Sequence, residues 1–361
     1  MSVEAPQARP LGASAGAGRR ALASTGPIAV CTLLLVGVAV LSLTQGAASI
    51  PAGTAVAFVL NRLPFVHIAV DAPASWETIV VDVRLPRLLV AGVVGASLAY
   101  SGAAYQGVFR NPLADPYLIG VASGAALGAS IAIVSPLESS SYEFGWVPLL
   151  AFAGAAVAVL LAYGFAQSGR TVSNTALILA GVAISSVASA ITSFILLTGG
   201  DRAQPILSFL FGSFNTATWA RLTVGTPYLL AGAAVIALHA RVLNVLQLDE
   251  EQAAQLGVDV TRSKLIVLGA ASLIAATAVA MAGVIGFVGL VVPHVTRMVF
   301  GGDYRRLLPL AALLGASFLI GTDVLARTLL RPQEVPVGIV TAMVGGPFFL
   351  YLLRVRRLGG F

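Results

Sequence analysis

The chain has 361 residues, of which 58% are hydrophobic and only 10% charged, with a mean hydropathy of +0.93. Water-soluble domains carry about 25% charged residues, so these values exclude a soluble globular protein and point to an integral membrane protein. The net charge of +6 needs no nucleic acid to explain it, and the lone Cys31 excludes a disulfide framework or a cysteine metal cluster.

At roughly 20 residues per span, the chain has room for about ten transmembrane helices joined by short loops. Alternating ten-residue strands are absent, which sets a β-barrel aside. The 38 glycines suit close helix contact in lipid, where small residues let backbones approach. The expected architecture is a single all-α transmembrane domain over 26–361, preceded by an Ala/Gly/Ser-rich disordered tail over 1–25. The first apolar run, Pro27–Leu43, reads as a transmembrane helix rather than a secretory signal, because it is long and further spans follow. Ser49 to Val83 is mixed, with a short helix expected near Thr54–Asn61 and acidic Asp71, Glu77 and Asp82.

Arg84-Leu-Pro-Arg87 opens the second span, Leu85–Phe109, with two guanidinium groups three residues apart. Arginine suits bidentate pairing with carboxylates, so the pair reads either as a dock for an acidic partner or as an interfacial anchor that snorkels. The stretch QGVFRNPLADP (106–116) breaks the helix with two prolines and turns the chain into a third span, Tyr117–Val134. Spans follow at Val147–Gln167, Thr175–Leu197 and Leu222–Leu243.

The second half then carries one polar island, NVLQLDEEQAAQLGVDVTRSK (244–264). Asp249 stands where it can cap a short helix, with Gln252 three residues on in a capping-box relation. Gly257 occupies the place of a left-handed C-terminal cap, followed by apolar Val258. A short acidic helix between two spans reads as a handle that another protein can push, or as an ordinary solvated loop.

Beyond it lie spans at Lys264–Met281, Val284–Phe300, Leu307–Leu329 and Val335–Val355. Before Pro293-His294, Gly283, Gly286 and Gly289 recur every three residues, which predicts one glycine-lined helix face with tight packing and a kink. With ten spans and the N-terminus in the cytosol, Arg62, Arg84, Arg87, Arg202, Arg221, Arg327 and Arg331 fall outside. The rest of the 21 Lys and Arg fall inside, as the positive-inside rule expects. Both termini and the polar island are then cytosolic.

The only lysine, Lys264, follows Ser263 and precedes Leu265, so the Gly-Lys-Ser/Thr of a Walker-type ATP site is absent. No HExxH exists, His67, His239 and His294 are scattered, and no acidic cluster suggests a metal or an embedded transferase site. The chain therefore reads as no enzyme, with no cofactor or metal of its own. Asp323 is the clearest ionisable residue within a span. One acid is thin support for an ion-coupled secondary transporter, the alternative reading, since such carriers bury several polar partners near the midplane.

The stretches RLPR, SGAAYQGVFRNPLADPYLIGVASGAALGA (101–129), LDEEQAAQLGV, GFVGLVVPH, DYRRLLPLAALLGA (303–316) and VPVGIVTAMVGGPFFLYLL (335–353) occur in one order. Together they closely resemble the permease subunits of ATP-binding-cassette importers for iron–siderophores, haem and cobalamin, from about Val81 to Arg357. The resemblance implies the type II importer permease fold and a homodimer with a path along its two-fold axis. It also implies two separate ATPase subunits holding ATP and magnesium, and an extracytoplasmic solute-binding protein that delivers cargo across the inner membrane. By similarity, Leu248, Asp249, Glu250, Glu251, Ala254, Leu256 and Gly257 belong to a coupling helix that enters the ATPase. Arg84, Arg87 and Arg327 match arginines that meet the binding protein. Asn111 and Leu113 match an inner gate, and Ser173 and Asn174 a second one. Where the family usually has Gly-Glu-Glu, this chain has Asp249-Glu250-Glu251, which adds charge at the start of the coupling helix.

Overall fold

A computed structural model describes residues 13–46, 48–136, 145–168 and 171–358. Helices α1 (Ala13–Thr44), α2 (Ala52–Leu60) and α3 (Ala74–Thr78) lead through a π-helical turn, Ile79–Arg84, into α4 (Leu85–Phe109). A 3₁₀ turn, Pro116–Ile119, opens α5 (Val121–Val134), and α6 (Trp146–Ala166) follows. A minimal ribbon, β1 (Gln167–Ser168) with β2 (Thr171–Val172), joins α6 to α7 (Asn174–Thr198). Then come α8 (Ala203–Leu210), α9 (Trp219–Leu238), α10 (Ala240–Val245), α11 (Glu250–Gln255) and α12 (Val260–Ala282). The chain closes with α13 (Val288–Phe300), α14 (Tyr304–Thr328) and α15 (Val337–Leu358).

Each expected span holds a helix. Among the described residues, six helices are long and apolar enough to cross a membrane: the Gly26–Thr44 part of α1, α6, α7, α9, α12 and α14. Three shorter apolar segments, Val121–Val134, Val288–Phe300 and Val337–Tyr351, accompany them. Helix α1 reaches back to Ala13, so 13–25 is helical where a disordered tail was expected; the tail's first twelve residues lie outside the described part.

Helix α4 is the axis of the packing, with α14, α12, α13, α9 and α1 laid against it. It can be surrounded because its side chains are small: Gly95, Ser97, Ala99, Gly102, Ala103 and Ala104 are all buried. A Cβ at Gly102 would stand 1.9 Å from the carbonyl oxygen of Gly289, and one at Gly95 2.3 Å from that of Gly315. Backbones thus touch directly, the packing that dispersion rewards when lipid supplies no hydrophobic drive. Tyr105 is the large buried exception, and its hydroxyl meets that of Ser272 on α12 at 2.6 Å.

The three glycines near Pro293 do not share a helix face. Helix α12 stops at Gly283 (φ 76), and the chain runs without helix to Phe287 (φ 69) before α13 begins at Val288. A side chain at Gly283 would be driven to 2.4 Å from the Phe209 carbonyl oxygen, and φ > 0 disfavours any Cβ there. Gly286 has open space around its α-carbon, and only Gly289 packs, against α4. The expected kink is therefore a full break, and Pro293 lies within the helix that follows it.

Several backbone groups of this break find partners within the protein, which matters most where hydrocarbon offers none. Val284 N donates to Phe209 O at 3.0 Å, and Ser213 N to Ala282 O at 2.9 Å. Val337 N and Gly338 N donate to Gly212 O and Phe211 O at 3.0 and 2.9 Å. The Tyr117 hydroxyl donates to Ile285 O at 2.9 Å. The segments after α8, after α12 and before α15 thus cross and close one another's hydrogen bonds. Replacing Gly102 with Val should destabilise the chain by about 1–3 kcal/mol or more through overpacking against Gly289, read as a lower melting temperature in detergent. Gly286→Ala should be close to neutral in the same assay.

Candidate functional site

Ionisable groups gather at the two ends of α4, about 36 Å apart at 1.5 Å per residue. At the far end, past Phe109, Arg110 takes the left-handed conformation (φ 52) and ends the helix by a Schellman pair: Asn111 N donates to Gln106 O at 3.1 Å and Arg110 N to Gly107 O at 3.3 Å. The turn that follows is held by Asn111, whose Oδ1 accepts from Leu113 N at 2.9 Å. Asn111 is exposed and Leu113 half-buried.

Helix α11 lies against this turn. Its C-terminus has the cap read from sequence: Gly257 (φ 82), with Val258 N donating to Ala253 O at 3.2 Å and Gly257 N to Ala254 O at 2.9 Å. Its N-terminus departs from expectation. Asp249 sits at the cap position, but its side chain makes no capping bond. Its carboxylate faces Arg110 Nη1 at 3.3 Å instead, so a tertiary charge contact wins over the local cap. Arg110 also reaches Leu248 O at 3.2 Å and Glu250 Oε1 at 3.4 Å.

Glu250 is the hub of this end. It accepts from Lys264 Nζ at 2.7 Å on the first turn of α12, and the same ammonium lies 3.5 Å from Asn174 Oδ1 at the first residue of α7. Neighbouring Ser173 is exposed at the helix cap without a side-chain capping bond. One carboxylate therefore joins α11 to the Asn111–Leu113 turn and to the start of α7. The hydrogen bond from Lys264 holds the Glu250 carboxyl below its ordinary range, with the charges of Lys264 and Arg110 adding to it and desolvation opposing. Away from this contact Leu248, Glu251, Ala254, Leu256 and Gly257 are exposed, Leu256 by 64%.

A second bracket, not foreseen as a site, stands behind it. Asn244 donates to Asp303 Oδ1 at 2.7 Å and accepts from Tyr304 N at 2.9 Å. The Tyr304 hydroxyl accepts from Arg297 at 2.8 Å. These bonds fasten α10 to the start of α14. The signal was present in the DYRR stretch, but nothing local links it to Asn244 fifty-nine residues earlier.

At the near end of α4 the three arginines turn inward. Arg84 is buried and donates to Leu43 O and Ala48 O. Arg327 donates to Ser42 Oγ at 2.8 Å and Gln45 O at 3.0 Å. Both guanidinium groups thus satisfy carbonyls around the C-terminus of α1, where a cation suits the helix dipole. Asp323, fully buried, pairs with Arg87 at 2.8 Å and Arg327 at 3.0 Å. Arg87 continues to Glu334 at 2.9 Å, on the turn before α15. The one acid that hinted at ion coupling is thereby held between two permanent cations. Among the described residues no cluster of His, Cys, Asp or Glu could hold a metal ion.

The model of the FecCD transport family matches residues 33–355. The cobalamin import system permease protein BtuC of Halobacterium salinarum is 42% identical over 92% of this chain and 90% of its own length. The hemin transport system permease protein HmuU of Yersinia pestis is 43% identical over 79% of this chain and 85% of its own. A solved metal-chelate type ABC transporter in an inward-facing conformation superposes with a TM-score of 0.77 at 33% identity, covering 90% of this chain and 97% of that one.

Two outcomes follow from the geometry at the two ends. Asp323→Asn strips Arg327 of its counterion and leaves Arg87 with Glu334 alone, and should cost about 3–5 kcal/mol, read as a large fall in melting temperature; an unchanged melt would return Asp323 to the ion-coupling reading. Glu250→Gln or Lys264→Met should speed amide exchange at Ala253 and Ala254 by about two- to fivefold relative to intrinsic rates, with the global melt unchanged. Because the Glu250 pKa is depressed, this tether is intact at neutral pH and is lost only as pH falls below the ordinary carboxylate range. Acid should therefore loosen α11 in the natural chain and add little in Glu250→Gln.

Proposed function

The chain belongs to the FecCD transport family, and on that premise we propose that α11 is the coupling helix through which separate ATPase subunits drive it. The protein is a permease subunit of an ATP-binding-cassette importer, a transport component and not an enzyme. The observation that carries the coupling assignment is the build of α11. Its outward face is apolar and acidic, at Leu248, Glu251, Ala254 and Leu256, while Glu250 ties its other side to Arg110 and Lys264. A helix six residues long has no use for exposed leucines at both ends unless a partner covers them. The missing Walker lysine demands the same partner.

In this reading, closure of two ATPases displaces α11. Glu250 passes the movement to the Asn111–Leu113 turn and to Ser173–Asn174 at the head of α7, which we infer to be the inner gates. The spans then expose the path alternately to the two sides. Two copies of the chain form the path. The α11 end faces the cytosol, with both termini, and the opposite end faces outward in the cytoplasmic membrane.

An extracytoplasmic binding protein docks, in this reading, at the arginine-rich end. Arg84, Arg87 and Arg327 all hold internal partners there, so a docking carboxylate must exchange with one of them. Arg87 is the member open to this, since its partner Glu334 is on an exposed turn and 35% exposed. Cargo is a metal chelate such as an iron–siderophore, haem or cobalamin, in line with the family's relatives.

Replacing Glu250 and Glu251 together with Arg should leave membrane insertion intact and reduce ATP-driven uptake by at least about tenfold, because like charges then face Arg110 and Lys264. Uptake would be measured in cells or proteoliposomes carrying the partner subunits. Uptake at the natural rate would overturn the coupling assignment, and uptake driven by an ion gradient without ATP would overturn the importer mechanism.

A further inference from the structure

A cavity of about 210 Å³ lies at the end of α12 away from α11. Its apolar wall includes Ile133 at the end of α5, Val147 at the start of α6 and Phe209 on α8. Its polar wall is Ser208, Ser213, Thr216 and Arg221. Among the described residues, no acidic side chain lines it. It adjoins the crossing of the unwound segments, where Ser213 N bonds Ala282 O and Val284 N bonds Phe209 O. Irregular backbone at membrane depth is tolerated where it is buried or lines a cavity, and in transporters it often marks a binding place.

The polar groups here are donors left over after the local structure is satisfied. Arg221 Nη1 is engaged, donating to Thr216 Oγ1 at 2.6 Å and Met281 O at 2.9 Å. Among the described residues, its Nε and Nη2 have no hydrogen-bond partner, and neither has Ser208 Oγ. Thr216 and Ser213 accept bonds through their hydroxyl oxygens, from Arg221 and from Asn215 N, so their O–H groups remain free to donate. Three carbonyls near the cavity are already occupied: Met281 O by Arg221, Ala282 O by Ser213 and Phe209 O by Val284. A permanent cation with a planar fork of N–H groups and three hydroxyls beside it match the oxygens of an anion.

We propose that this cavity is an oxyanion site, taking a carboxylate or phosphate group through Arg221, Ser208, Ser213 and Thr216. Two sources carry that chemistry. Trp146 and Trp219 begin the two helices at its rim and are 38% and 40% exposed, as in an interfacial aromatic belt, so a phospholipid headgroup is at hand. The other source is the acidic part of an incoming cargo, entering from the outer side. Only the name of that side rests on the importer reading; the site itself does not.

The test uses the full chain in neutral detergent, without ATP or partners, so that a failure of uptake cannot be mistaken for a failure of binding. Calorimetry with citrate and with molybdate probes a soluble oxyanion. Native mass spectrometry after exposure to phosphatidylglycerol probes the lipid. Saturable binding in either arm is expected, weakened about tenfold or more in Arg221→Gln and Ser208→Ala by loss of a charge-assisted bond. The arm that responds names the source. Ser208→Ala guards against a folding artefact, because its hydroxyl holds nothing else in place and its melting temperature should match the natural chain. No binding in either arm, or binding that Ser208→Ala and Arg221→Gln leave unchanged, would overturn the site and leave Arg221 as a cap on α12.

Discussion

A backbone within hydrocarbon has no water to turn to, and every N–H and C=O that leaves a helix there must find a partner in the protein. The break between α12 and α13 is the place where this constraint binds hardest. Helix α13 has 13 residues, about 20 Å at 1.5 Å per residue, which is short of the roughly 30 Å hydrocarbon core. The non-helical run from Gly283 to Phe287 makes up the distance. It survives only because α8, the loop after it and the entry to α15 are brought close enough to close its hydrogen bonds. The positions of those elements, and the cavity they enclose, follow from that need.

Close approach is the second half of the same logic. Lipid does not squeeze helices together, so contact must come from shape. Helix α4 reaches its neighbours through bare backbone at Gly95 and Gly102. With its centre packed this tightly, α4 acts as a strut between two polar ends. The charge contacts of Arg110 thus stand at the end of a rigid element rather than a loose one.

Charge is scarce in this protein, and each charge near the spans serves more than one partner. Asp323 holds Arg87 and Arg327, and Arg327 in turn closes the end of α1. At the other end Glu250 holds Lys264 and Arg110, and through them the start of α7 and the end of α4. The two clusters differ in exposure, and this sets their roles. The buried one is expensive to disturb and suits anchorage. The exposed one is weak and screened and is the easier of the two to open.

Composition, hydropathy and the order of motifs were enough to read an all-helical membrane protein, the place of every long helix and the glycine cap of α11. These features are local: a run of apolar residues or a glycine after a short helix needs no distant partner to act. The glycines at 283, 286 and 289 were misread because three-residue spacing looks the same along a helix and across a break. Only the carbonyl of Phe209, pressed against Gly283, distinguishes them. Asp249 was expected to cap α11, and Arg110, 139 residues away, took its carboxylate. Arg84 and Arg327 read as outward anchors or docks, yet the open carbonyls of α1 drew them inside. Sequence alone thus determined where the long apolar helices lie and where the short helix α11 stands between two of them. Tertiary structure decided where each charged side chain points, because a guanidinium or carboxylate goes to the strongest unmet partner within reach, and that reach is set by packing between segments far apart in the chain.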